Sequence, residues 1–183
     1  DGRRTRPDDR RLSAITTLFA AVIIGFGYLS NVQAKTWETS ETLFSHALTL
    51  YPYSIASRVN LSVIYRKTGR FDAEKKILQD GLIFGSNSKI FTGLAAIAVR
   101  NGDIPAAEKY YKQAIATDPT NSEPVFGRGV LLAQQGKMTE AKATYAKAIS
   151  MDPRYVAAYN NLGSVLLDEG DKKGAEDNFL TAV

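Results

Sequence analysis

Along most of this chain, apolar residues return at helical spacing and are interrupted by short polar turns that carry a glycine. Residues 122–155 show the pattern most clearly. Large residues (Leu132, Tyr145, Ile149) recur at the spacing of one helix face, while small ones (Gly129, Ala141, Ala148) stand where two helix backbones must approach closely. The stretch predicts two helices of about 14 residues each, and Asp152-Pro153 ends the second, because proline offers no amide and biases its predecessor away from the helix. The unit recurs. Gly136 has counterparts 34 residues away at Gly102 and Gly170. Ala141 is matched by Ala107 and Ala175, Ala148 by Ala114 and Ala182, Tyr145 by Tyr111 and Phe179, and Pro153 by Pro119. A fixed period that holds glycine, alanine and proline together predicts stacked supersecondary units, an all-α solenoid rather than an ordinary helical bundle.

With these residues in these places, the chain resembles the tetratricopeptide repeat family from Ile55 to its last residue. The resemblance implies a right-handed solenoid of helix pairs, with repeats over 55–87, 88–121, 122–155 and an incomplete 156–183. The first repeat is one residue short: Ala73 precedes the expected alanine place, Glu74 occupies it, and no Asp-Pro closes the unit. Leu78 and Gly81 still fit the packing pattern. Arg58 and Arg128 fall where the repeat usually has large apolar residues, so their aliphatic stems are expected to cover apolar surface while the charged heads reach water.

The chain before the repeats reads differently. Residues 1–11 hold five arginines and three aspartates without periodicity and read as a basic loop. Residues 12–34 run 23 positions without a charge, long enough as a helix to span a hydrocarbon core of about 30 Å. Tyr28 and Trp37 lie near its far end, as interfacial aromatics do, and the arginines at its near end place that side in the cytoplasm and the repeats across the membrane, on a periplasmic, extracytoplasmic or lumenal side. A cleavable signal peptide is the competing reading, since Val32-Gln33-Ala34 suits a signal peptidase, although the apolar run exceeds the usual length. Residues 35–54 then mimic the second helix of a repeat through Phe44, Ala47 and Pro52, and are expected to form a capping half-repeat. Because the chain starts at Asp1 and stops inside a repeat's second helix, it reads as a piece of something longer.

This junction is also similar to the end of polytopic glycosyltransferases that carry tetratricopeptide repeats, the transmembrane O-mannosyltransferases and their bacterial relatives. In that family a basic-Asn pair, a Trp and a Leu-Phe pair follow the last membrane helix. Trp37, Leu43 and Phe44 match, whereas Ala34-Lys35-Thr36 replaces the basic-Asn element. The resemblance implies a parent enzyme using a lipid-linked sugar, its catalytic acids lying in early membrane loops. No residue here corresponds to them.

Composition narrows the chemistry. The formal net charge is +4, and the basic loop supplies half of it; no basic stripe with interleaved aromatics appears, so nucleic acid is not expected as a partner. The chain has no cysteine, hence no disulfide and no thiolate metal site. His46 is the sole histidine and has no metal-ligand spacing around it. Gly127-Arg128-Gly129 lies inside a predicted helix with no strand before it, so packing explains its glycines better than phosphate binding does. Neither a catalytic residue, a metal ligand nor a cofactor is predicted.

What remains is the inner face formed by the first helix of each repeat. Stacking sets equivalent positions side by side, giving the rows Lys67, Arg100, Gln134, Asp168; Asn60, Gly93, Gly127, Asn161; and Val59, Thr92, Phe126, Asn160. From these rows Asn60, Lys67, Arg100, Phe126, Asn160 and Asn161 are the candidate peptide-binding residues. An asparagine both donates and accepts, so it can pair with a peptide backbone of any sequence, and Gly93 and Gly127 would leave room for that chain. Ordinary solvated helix positions are the alternative. The expected function is a membrane-tethered domain binding a protein or an extended acceptor peptide, as the C-terminal part of a glycosyltransferase-like protein. A single-pass bacterial envelope scaffold, and a repeat protein secreted after cleavage at Ala34, are the alternatives.

Overall fold

The structure is a computed structural model; it describes Leu29 and residues 39–182, and divides the chain at Pro52–Tyr53 into two compact units. The predicted basic loop and, apart from Leu29, the predicted membrane span at 12–34 lie outside the described residues. Among the described residues no helix is long and apolar enough to cross a membrane.

In the first unit, α1 runs over Ser40–Leu50. Thr39 starts it with a reciprocal cap: its hydroxyl accepts from the Thr42 amide, and the Thr42 hydroxyl accepts from the Thr39 amide, each at 3.1 Å. The Tyr51 amide donates to the Ala47 carbonyl, and Pro52 follows, which fixes the end.

The second unit is built of four helix pairs: α2 (Ile55–Lys67) with α3 (Phe71–Gly81), α4 (Ser88–Arg100) with α5 (Ile104–Thr117), α6 (Ser122–Gln134) with α7 (Met138–Met151), and α8 (Val156–Asp168) with α9 (Lys172–Thr181). Polar side chains open several of them, Asn87 accepting from the amides of Lys89 and Ile90 and Asp103 from that of Ala106. Within each pair the turn passes through a glycine in the left-handed region: Gly69, Gly102, Gly136 and Gly170 have φ of 73°, 73°, 75° and 86°. An L side chain would be strained there, which is why this position is among the most regular in the period. Gly69 escapes a strict 34-residue count because the first repeat is short.

Packing follows the predicted division into small and large residues. Ala107, Ala114, Ala141 and Ala148 are each 0% exposed, at the crossings of paired or successive helices. A methyl group on Gly129 would stand 2.7 Å from Cε1 of Tyr145, so the absent side chain is what lets that ring lie between α6 and α7. The core follows the stack through Leu78, Ile90, Leu94, Tyr111, Leu131, Leu132, Tyr145 and Val165.

The first repeat departs from the others where its sequence does. A 3₁₀ turn over Leu82–Phe84 and Gly85 at φ 120° stand in place of the missing Asp-Pro. Arg58 does not carry its head out to water. It is buried, its guanidinium lying 4.9 Å from the centroid of Phe84, and the bare backbone of Gly81 makes the room its stem occupies.

First helices also touch one another, α2 with α4 and α4 with α6, whereas the second helices make no comparable contact among themselves. Closer spacing on one side than the other curves the stack, and the first helices therefore form its inner wall.

Candidate functional site: the inner wall

A cleft of about 220 Å³ opens on this wall between α2, α4 and α6. Val59, Val63 and Arg66 line it from α2, Lys89, Thr92 and Ala96 from α4, and Glu123 from the first turn of α6. The spacings are i, i+4, i+7 on α2 and i, i+3, i+7 on α4, the signature of one helix face. Its lining mixes these apolar side chains with polar ones: Ser62 and Thr92 border it, and the buried Glu74 carboxylate reaches it from α3. Continued by the period, the same face on α6 comprises Phe126, Val130 and Ala133, all half-buried.

The six residues singled out from sequence are not gathered into one place. Asn60 and Lys67 on α2 and Asn160 on α8 are exposed. Phe126 is half-buried in an aromatic cluster, its ring centroid 4.9 Å from that of Tyr155 and 5.8 Å from that of Tyr145. Asn161 turns toward the preceding repeat, its amide donating to the Tyr145 hydroxyl at 3.4 Å. Gly93 and Gly127 occupy the same row and serve the same junction. A methyl group on Gly93 would stand 2.8 Å from Leu78, and one on Gly127 2.6 Å from Tyr111. The space at these glycines is thus filled by the second helix of the preceding repeat, not left for a bound chain.

Arg100 is engaged as well. Its guanidinium donates to the Glu74 carboxylate at 2.7 Å and stacks 4.2 Å from the centroid of Phe71. Glu74 is the residue at the anomalous alanine place, 2% exposed, so the first repeat holds a carboxylate in its core and the next repeat supplies the cation. The other junctions use the same device: Arg128 of α6 pairs with Glu108 of α5 at 3.0 Å, and Lys142 of α7 pairs with Glu169 after α8. Inter-repeat ion pairs thus account for Glu74 and Arg128 in the apolar pattern, whereas Arg58 packs over Phe84 of its own repeat.

The rows that reach the cleft, Val63 with Ala96 and Arg66, and Lys89 with Glu123, were missed in the sequence. The signal was present: Val63 and Ala96 lie four residues beyond Val59 and Thr92, Arg66 seven beyond Val59, and Lys89 and Glu123 three before Thr92 and Phe126, all on the same face. Among the described residues no cluster of histidine, cysteine, aspartate and glutamate could hold a metal ion. The Thr120 hydroxyl and amide hold the exposed Asp118 carboxyl below its usual range, and the other perturbed groups are phenols. Burial, with Glu123 adding to it, pushes Tyr111 up to about 12, and burial followed by Glu123, Asp152 and Tyr111 does the same to Tyr155. Tyr145 is raised by burial and partly relieved by its bond from Asn161. These phenols stay neutral near neutral pH, and the rings of Tyr111 and Tyr145 are taken up by packing at the helix junctions.

A tetratricopeptide repeat family model matches residues 92–149, and a second repeat model of the same kind matches 129–170. Together the two models cover residues 92–170. Solved structures extend the fold over most of the chain. MamA is similar at 18% identity and TM-score 0.61, over 84% of this chain and 90% of that one. A PilF protein of Pseudomonas aeruginosa gives 16% identity and TM-score 0.67, over 90% and 75%. YrrB, described as a TPR protein with an unusual peptide-binding site, gives 21% identity and TM-score 0.54, over 87% and 82%. At these identities the likeness carries the tetratricopeptide fold alone. No curated protein matches the chain.

Proposed function

We propose that the tetratricopeptide repeats bind a protein segment along the inner wall, and that residues 12–34 tether them to a membrane. The cleft between α2, α4 and α6 carries the first part: with Val59, Val63 and Ala96 set among Ser62, Thr92 and the charged Arg66, Lys89 and Glu123, it suits a short segment that presents both apolar and polar side chains. The peptide-binding site that the description of YrrB mentions is consistent with this use of the fold. Ala96→Trp fills the cleft from its floor and should abolish binding of peptides selected from a random library by the wild type. Retained binding, in a variant with unchanged circular dichroism, would place the site elsewhere.

The uncharged run and the arginines before it support the tether and an extracytoplasmic side for the repeats. Protease added outside spheroplasts should then digest the repeats. Digestion only from the cytoplasmic side, or a new N-terminus at Lys35, would refute it. A parent glycosyltransferase is supported only by Trp37, Leu43 and Phe44, since the matched families and structures concern the repeats.

A further inference from the structure

The acids at the repeat junctions are matched. Glu74, Glu108 and Glu169 each face a cation from the neighbouring repeat. Glu123 differs. It stands exposed in the first turn of α6, on the rim of the cleft, and its carboxylate makes no ion pair among the described residues. Its backbone amide is capped by the Asn121 side chain at 3.0 Å, which fixes the turn that presents it. Lys89 lines the same cleft one repeat earlier without forming a salt bridge to it. One turn further along α6, Phe126 packs against Tyr155 with the two rings tilted by 46°, and the buried Tyr111 ring is seated against Gly127. The charge of Glu123 reaches both phenols, Tyr111 and Tyr155.

A carboxylate beside aromatic faces and neutral phenol oxygens is complementary to a cation with an extended, partly apolar stem. The protein already uses that complement on itself. Arg100 lies between the Glu74 carboxylate and the face of Phe71, and Arg58 and Arg70 lie over Phe84 and Tyr65 at 4.9 and 4.6 Å. We propose that Glu123, with the Phe126–Tyr155 ring pair, forms a subsite of the inner wall for an arginine or lysine side chain of the bound segment. This rests on the inner-wall reading above and adds to it a partner chemistry: a segment whose apolar residues occupy the cleft and whose basic residue lies toward the third repeat.

The test uses the full chain and a scanned peptide library, selected on the wild type, in which one position at a time is arginine, lysine, glutamate or citrulline. Citrulline keeps the shape of arginine without its charge. At one position the wild type should prefer arginine over citrulline by about tenfold at low salt, and the preference should shrink as salt screens the pair. Glu123→Gln should bind the two peptides alike, and Phe126→Leu should reduce the preference without reversing it. Binding that Ala96→Trp blocks, but that shows no preference for a basic residue, would overturn this subsite and leave the inner-wall reading intact. A full preference retained by Glu123→Gln would overturn the subsite in the same way. Binding indifferent to Ala96→Trp, or no binding by the wild type, would overturn both.

Discussion

Replacing Arg100 by alanine is expected to destabilise the repeats by about 3 kcal/mol, because it strands the Glu74 carboxylate in the core. That carboxylate is 2% exposed and has the Arg100 guanidinium 2.7 Å away. The figure sits at the low end for a broken buried pair, since the arginine side chain is itself 30% exposed and its loss lets water approach. Reversible urea denaturation should show a lower midpoint with an unchanged slope. Changing both partners gives the sharper result. Glu74→Ala restores the alanine that stands at 107, 141 and 175, and with Arg100→Leu it should bring stability back to within about 1 kcal/mol of the wild type. A double variant as unstable as Arg100→Ala would mean that the pair contributes packing which alanine and leucine cannot replace.

The second large effect is at Ala141, 0% exposed where α7 crosses its partner. Ala141→Leu adds three carbons to a site without free volume and should cost about 1 to 3 kcal/mol. Repeats on either side should lose stability with it, because each supplies an interface to the next. Hydrogen exchange resolves this: faster exchange in α4–α5 and α8–α9 as well as in α6–α7 is the expected pattern. An unchanged denaturation midpoint would contradict the packing seen there.

Much of the fold was legible because the repeat imposes the same steric demand several times over. Gly102, Gly136 and Gly170 mark turns that need a positive φ, and Ala107, Ala141 and Ala175 mark crossings with no room for more than a methyl group. The first repeat was less legible. Deletion of one residue hid Gly69, and a buried glutamate in an alanine place makes sense only once Arg100 is seen to come from another repeat. The structure sets part of the candidate row at helix junctions instead of on open wall. Periodicity aligned Asn60, Gly93, Gly127 and Asn161 correctly, but it is silent on whether a row faces the groove or the preceding helix. Leu78, Tyr111 and Tyr145 decide that, since their bulk fills the junction in front of Gly93, Gly127 and Asn161.

The most direct measurement of the groove is a nuclear magnetic resonance titration of the protein with a peptide selected from the random library. Methyl resonances of Val63, Ala96, Val130 and Ala133, on the first helices, should shift together and saturate at one dissociation constant. Shifts concentrated instead on outward residues of the second helices, such as Ala143 of α7, would contradict a binding wall formed by α2, α4 and α6.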